Sequence, residues 1–242
     1  LAQMFARAGV AVTIACRTRL LPEAEPEISE ALTTYLRNEG ITVRDGLTYK
    51  GIKEADNGVA LDVLEAGQAA SIFAEQVLVT TGRAANVSGL GLDDAGVAQT
   101  ANGGIKVDER MRTSKPGIYA AGDVTGTDQF VYMAAYGAKL AAKNALNSDS
   151  LIYDNSAMPW VVFTDPQVAG VGLSASAKDQ GFEVKTSTIT LDHVPRALAA
   201  QDTRGLIKLV ADAQTNKLLG AQILSPEGAD SIQTAVLAIK HG

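Results

Sequence analysis

Cysteine is almost missing from this sequence. Among 242 residues there is one, Cys16, and histidine occurs only at His193 and His241. A lone cysteine excludes an internal disulfide framework and fits a reducing compartment, so a cytoplasmic location is expected. Cys16 itself is expected to be a buried structural thiol. The two histidines are isolated. They give neither metal-ligand spacing nor the partners of a catalytic triad, and no metal site is expected in the chain. Runs of lysine and arginine are missing too. With a formal net charge of −6 and an isoelectric point near 5.0, the balance argues against nucleic acid and against anionic membrane surfaces as partners. No apolar stretch approaches the roughly 20 residues that cross a bilayer, and no signal peptide opens the chain.

What is present has the make-up of an ordinary globular protein, 46% hydrophobic and 20% charged. The length allows one or two domains with a sizeable core. Leu1 to Gly9 reads as the last turns of a helix, with Gly9 as its left-handed stop and no N-cap before it. Ser231 to His241 reads as a helix running straight into Gly242. The chain is therefore expected to be an internal segment of a longer protein.

The chain is organised around residues 112–124, Arg-Thr-Ser-Lys-Pro-Gly-Ile-Tyr-Ala-Ala-Gly-Asp-Val. Pro116-Gly117 signals a turn, and Ile118 to Ala121 then reads as a short buried strand. Gly122, without a Cβ, lets a ligand approach the backbone. Asp123 follows at the strand's carboxyl end, where open α/β sheets hold their ligands. An ionised carboxylate only accepts hydrogen bonds, so it suits a sugar or ribityl hydroxyl. A long Ala-rich helix is expected from Gln129-Phe130-Val131-Tyr132 to about Leu146. Its free N–H groups and dipole favour electron-rich groups in the same crevice.

Upstream, Val10 to Cys16 is a near-continuous apolar run, expected as a buried parallel strand. Pro26 suits the first position of a helix whose stripe is Ile28, Leu32, Tyr35 and Leu36, ending at Gly40. Ile41 to Val43 gives the next strand. Thr48–Lys53, Val59–Leu64 and Ala70–Ala74 form an antiparallel meander with turns at Asp56-Asn57-Gly58 and Ala66-Gly67. Gln76 to Thr80 returns as a buried strand into Thr81-Gly82-Arg83. This order is the later part of a dinucleotide-binding, Rossmann-like domain. At the end of the second strand such domains place a carboxylate for NAD or arginines for the 2′-phosphate of NADP. Arg17 and Arg19 follow Cys16 directly, and no acid comes before Glu23. NADPH is therefore favoured, with Arg17 the nearer to the strand end; the alternative is two solvated loop charges. Gly82 reads equally as a point of cofactor approach or as a plain turn glycine.

Beyond the polar break Asn147-Ser148-Asp149-Ser150, strands are expected at Trp160–Thr164, Val168–Gly172, Phe182–Leu191, Gly205–Val210 and Lys217–Leu224. Ser174 is expected to cap a short helix before Gly181, and Thr215-Asn216 to make a hairpin turn.

The string at 112–124, with the helix after it, resembles the second flavin-contacting motif of the FAD-dependent pyridine nucleotide-disulfide oxidoreductases. Within that family, three stretches are most similar to the mercury-reducing branch, the mercuric reductases: Gln129 to Tyr132, Val161 to Ala169, and Val194 to Ala199 leading to Asp202-Thr203-Arg204-Gly205. His193 stands where that branch more often has Asn. The resemblance implies an α/β chain in three parts. Residues 1–84 are the C-terminal part of the NADPH-binding domain, 85–156 the second segment of the FAD-binding domain, and 157–242 an α+β interface domain that makes a homodimer in relatives. It implies FAD held by Gly122, Asp123, Gln129, Phe130 and Val131, and NADPH held by Arg17, Arg19 and Gly82. Tyr132 would lie near the metal-reducing site, or else is an aromatic core residue. The implied reaction carries reducing equivalents from NADPH through FAD and redox cysteines to Hg(II), a soft metal suited to thiolate. This chain has no cysteine pair, so those cysteines would lie outside it, and the segment alone is expected to be inactive. The alternatives are a disulfide reductase such as dihydrolipoyl dehydrogenase or glutathione reductase, and a catalytically inactive flavin-binding module.

Overall fold

The computed structural model describes residues 1–147 and 149–242. Ser148, inside the polar break expected at 147–150, lies outside the described residues, and of Gln180 only the backbone is described. The chain divides into two compact units, one formed by Leu1–Val77 with Ser156–Gly242 and one by Leu78–Asn155.

In the first unit, helix α1 (Ala2–Arg7) ends as the sequence predicts, with Gly9 at φ +89°. Strand β1 is only Thr13–Ala15, paired in parallel with β2, Thr42–Arg44. The run at 10–16 was expected to be buried on both faces. The strand is shorter and only half-buried, with Thr13 exposed and Ile14, Ala15 and Cys16 half-buried. Helix α2 (Pro26–Asn38) starts on its proline, which lacks only an N–H that the first turn leaves unpaired. It buries Ile28, Leu32 and Leu36. The meander forms as β3 (Thr48–Ala55), β4 (Gly58–Glu65) and β5 (Gln68–Ala74). Its turns use positive φ at Asn57, Ala66 and Gly67. The strand expected at Gln76–Thr80 does not form: the segment is irregular and exposed, with Val77, Leu78 and Val79 42%, 61% and 64% accessible. A buried parallel strand needs neighbours on its ladder, and none among the described residues pairs with it.

The second unit holds a short helix α3 (Leu92–Ala95), isolated bridges, and the long helix α4 (Val131–Leu146). The bridges Gln99↔Ile105, Val107↔Thr113 and Arg112↔Tyr119 replace regular strands. The strand expected at 118–121 is thus one bridged residue, half-buried, because only Tyr119 finds a ladder partner. Helix α4 packs through its small residues. A Cβ on Gly137 would come within 3.3 Å of Ala121 and 3.6 Å of the Met111 sulfur. Met111, Leu140 and Ala141 form the local core, with Tyr119 and Tyr153 against it.

Residues 156–242 return to the first unit as a five-stranded antiparallel sheet. Its strands are β6 (Pro159–Val162), β7 (Gln167–Gly172), β8 (Val184–Thr190), β9 (Leu206–Asp212) and β10 (Leu218–Ser225), in the order β6-β7-β10-β9-β8. Helix α5 (Pro195–Ala200) joins β8 to β9, and α6 (Gly228–His241) packs on β10 and β7 with Ile232 fully buried. The hairpin turn near Thr215-Asn216 is as expected. Asp212 Oδ1 accepts from the Gln214 N–H at 3.0 Å, and Asn216 takes φ +62°. The segment after Ser174 is a 3-10 helix, Ala175–Gln180, rather than a capped α-helix. The Ser174 hydroxyl pairs with Ser176, and the Ala175 N–H is taken instead by the buried Glu25 carboxylate.

One core joins α2 to this sheet: Ile28, Leu32 and Leu36 pack with Val168, Leu206 and Leu224. Two polar links reinforce it. Glu25 pairs with Lys208 on β9. The Gln3 side-chain amide donates to the Asp165 carbonyl at 2.8 Å and accepts from the Asp165 N–H at 2.9 Å. Arg7 and Arg204 both reach the Asp165 carboxylate, at 2.8 and 3.0 Å.

Candidate flavin and pyridine-nucleotide sites

In the second unit the candidate residues gather at the start of α4. Gly122 takes φ +79° and ψ −160°, a conformation essentially restricted to glycine. A Cβ there would also stand 3.0 Å from the Ala134 methyl, in the second turn of α4. The turn 122–125 therefore lies close against the helix. Asp123 opens a 3-10 turn, and its side chain is about half exposed. The Thr125 hydroxyl holds that turn by donating to the Gly122 carbonyl at 2.9 Å.

Asp123 is engaged by Arg83, a residue to which the sequence pattern assigned no cofactor role. Arg83 Nη1 lies 3.2 Å from Asp123 Oδ2 and 3.5 Å from the Gln129 carbonyl oxygen. Arg83 follows Gly82, which is glycine for its φ of +122° and not for lack of space. Gly82, Asp123 and Gln129 are thus brought together through one guanidinium. The only signal for Arg83 in the sequence was its place next to Gly82.

Phe130, in extended conformation, precedes the first turn of α4. No side chain caps that helix by a hydrogen bond, and no acid stands in its first turn. The N-terminus is thus left with its N–H groups and partial positive charge for an electron-rich partner. Val131 is 84% exposed there. Tyr132 stacks on Phe130, ring centroids 5.4 Å apart, and is partly exposed. Partial burial, with the nearby Asp128 carboxylate, pushes its phenol above the ordinary tyrosine range.

Arg17 and Arg19 belong to the other unit, and the structure separates their roles. Arg19 folds onto its own loop, donating to the carbonyls of Pro22 and Ala24 at 2.8 and 2.6 Å. Arg17 is exposed and, among the described residues, makes no hydrogen bond or ion pair. Of the two, only Arg17 presents an uncommitted guanidinium. Burial and Asp45 push the Cys16 thiol up, away from a reactive thiolate. His193 sits 2.8 Å from Asp192 on the surface, and no metal-binding group of side chains occurs among the described residues.

Residues 1–142 match the family model described as pyridine nucleotide-disulphide oxidoreductase, and residues 158–242 match the dimerisation domain of the same family. The chain belongs to this family. Its oxidoreductase relatives include a mercuric reductase of Acidithiobacillus ferrooxidans, 48% identical over the whole chain, and one of Bacillus cereus, 43% identical. The chain spans 43% and 39% of their lengths. Among solved structures, the Cu(II) complex of the HOCl-induced flavoprotein disulfide reductase RclA from Escherichia coli superimposes with a TM-score of 0.86 at 28% identity. That match covers 99% of this chain and 54% of RclA. LpdA of Mycobacterium tuberculosis shares the fold, at a TM-score of 0.86 and 24% identity, over 99% of this chain and 52% of its own. A flavin and a pyridine nucleotide are thus the cofactors of this oxidoreductase family and fold. No helix among the described residues is long and apolar enough to cross a membrane.

Proposed function

We propose that this chain is the central and later part of an NADPH- and FAD-dependent mercury(II) reductase that works as a homodimer in the cytoplasm. The observation that carries the reading is the open start of α4, where Gly122, Asp123, Gln129 and the exposed Val131–Tyr132 stand together. It fits the edge and ribityl chain of a flavin. Gly122 admits close approach, Asp123 accepts from hydroxyls, and the uncapped helix start faces electron-rich atoms. The likeness to mercuric reductases over the whole chain supports Hg(II) as the substrate.

In this reading residues 1–84 complete the NADPH domain, 85–156 the FAD domain, and 157–242 the dimer interface. FAD, when bound, supplies the two-electron relay between nicotinamide and redox thiols. Arg17 recognises the 2′-phosphate by a charge-assisted pair, with Arg19 shaping its loop and Gly82 admitting the cofactor near Arg83. Tyr132, held as a neutral phenol, serves as a donor to a thiolate beside the metal. The thiolates themselves come from cysteines outside residues 1–242.

The test is NADPH oxidation by the protein completed with its flanking sequence, with and without Hg(II). Oxidation that requires Hg(II), with release of elemental mercury, is the expected result. Oxidation supported only by a disulfide substrate would move the chain to a sister reductase, and a flavoprotein with neither activity would make it an inactive module.

A further inference from the structure

Asp128 stands three residues before Val131, the first residue of α4, with a backbone φ of +44°. Left-handed backbone is uncommon at a non-glycine residue, and aspartate is among the types that accept it. Two side chains from beyond the helix hold this one in place. Tyr153 Oη donates to Asp128 Oδ2 at 3.0 Å, and Asn155 Nδ2 donates to the same oxygen at 2.8 Å. The Phe130 N–H closes the turn by donating to the Asp128 carbonyl at 2.7 Å. Tyr153 is itself well anchored. Its N–H donates to the Glu109 carbonyl at 2.7 Å, and its ring stacks on Tyr136 at 5.2 Å. It packs against the Met111, Leu140 and Ala141 core. The stretch after α4 thus reaches back along the helix and fixes its first turn.

We propose that Asp128, clamped by Tyr153 and Asn155, is a positioning residue that sets Gln129, Phe130, Val131 and Tyr132 against the flavin. The inference rests on the flavin site proposed above and extends it to residues on the far side of α4. Three observations support it. The clamp converges on one carboxylate oxygen. Its positive-φ residue abuts the segment that carries the exposed Val131 and the Phe130–Tyr132 stack. The Gln129 carbonyl, next in the chain, is the one that Arg83 approaches. Burial and the Asp128 charge also raise the Tyr132 phenol above its ordinary range, so the clamped carboxylate bears on charge as well as on position.

The experiment uses the full-length protein and three variants. Tyr153→Phe keeps the ring stack and its packing and removes only the hydroxyl donor. Asp128→Asn keeps an acceptor and tolerates the left-handed backbone but loses the charge. Asp128→Ala removes both. Apoprotein is titrated with FAD, and the visible circular dichroism and midpoint potential of the bound flavin are measured. Tyr153→Phe and Asp128→Ala are each expected to weaken FAD binding about tenfold, as for one lost hydrogen bond to a charged group. Both should alter the flavin dichroism in the same way, and their effects in combination should be less than additive. Asp128→Asn should retain affinity and shift the potential. Wild-type affinity, dichroism and potential in Tyr153→Phe and Asp128→Asn would overturn the proposal. A wild-type protein that binds no flavin at all would instead overturn the flavin site on which it rests.

Discussion

Lys208 Nζ lies 2.8 Å from Glu25 Oε2, and only 7% and 4% of the two side chains remain exposed. Glu27, at the surface, shares the ammonium at 2.8 Å. A buried pair of this kind is costly to break, because removing one partner strands the other charge away from water. Lys208→Met in the full-length protein is expected to destabilise it by about 3–5 kcal/mol, read from the denaturant midpoint. Adding Glu25→Gln should recover much of that loss. A single variant as stable as wild type would mean that the pair holds nothing together.

Arg17 provides the cofactor test. Its guanidinium is exposed and uncommitted, whereas Arg19 is tied to the carbonyls of Pro22 and Ala24. Arg17→Glu should raise the apparent KM for NADPH roughly 10- to 100-fold, the worth of one charge-assisted contact. NADH should be almost unaffected. Equal changes for both nucleotides would remove Arg17 from the phosphate site.

Asp123→Ala should release flavin. It removes an acceptor for hydroxyl groups and leaves Arg83 Nη1 without the carboxylate it now meets at 3.2 Å. A loss of about 1.5–3 kcal/mol of flavin affinity is expected. Fluorescence of flavin freed on gel filtration measures it. Wild-type flavin content would take Asp123 out of the site.

Gly122→Ala tests the close approach of turn and helix. The new methyl meets Ala134 at 3.0 Å, on a backbone whose φ of +79° already disfavours it. We expect about 1–3 kcal/mol of strain, with reduced flavin retention. Unchanged thermal unfolding of the apoprotein would show that the turn yields freely.

Acid sensitivity should draw on the carboxylates paired with Arg204 and Arg7. Hydrogen bonds from Arg204 hold the Asp202 carboxyl below its ordinary value, and those from Arg7 do the same for Glu39. Folded-state values below the unfolded ones give stability that is present above the unfolded pKa, about 4 for these groups, and lost as the pH falls through the folded values. Stability should therefore fall below about pH 4. Arg204→Ala should flatten that acid limb by freeing Asp202, as denaturant midpoints across pH would show. An unchanged limb would place the acid response elsewhere.

Much of this organisation could be read from side-chain pattern alone. Pro26 starts α2 where its fixed φ is useful, Gly9 and Gly40 stop helices in the left-handed region, and Asn57 and Ala66-Gly67 turn the meander. Those features are local, and local chemistry decides them. The failures were of another kind. Gln76–Thr80 has the composition of a buried strand, but burial depends on neighbours that sequence position does not provide. Ser174 looked like a helix cap, yet Glu25, 149 residues earlier in the chain, takes the N–H next to it. At the candidate site, Gly122, Asp123 and Val131 could be named from the order of residues. Arg83, Asp128 and Tyr153 could not, because their importance lies in pairings across 40 and 25 residues.

The side chain of Gln3 meets both the N–H and the carbonyl of Asp165, as a neighbouring strand's backbone would. In effect one helical residue pairs with the backbone of the loop that leads from β6 into β7. Mechanically this splices helix α1 to a loop 162 residues further along the chain. A load on α1 passes through the Gln3 amide and the Arg7–Asp165 ion pair to the loop that enters β7, in parallel with the path through β1.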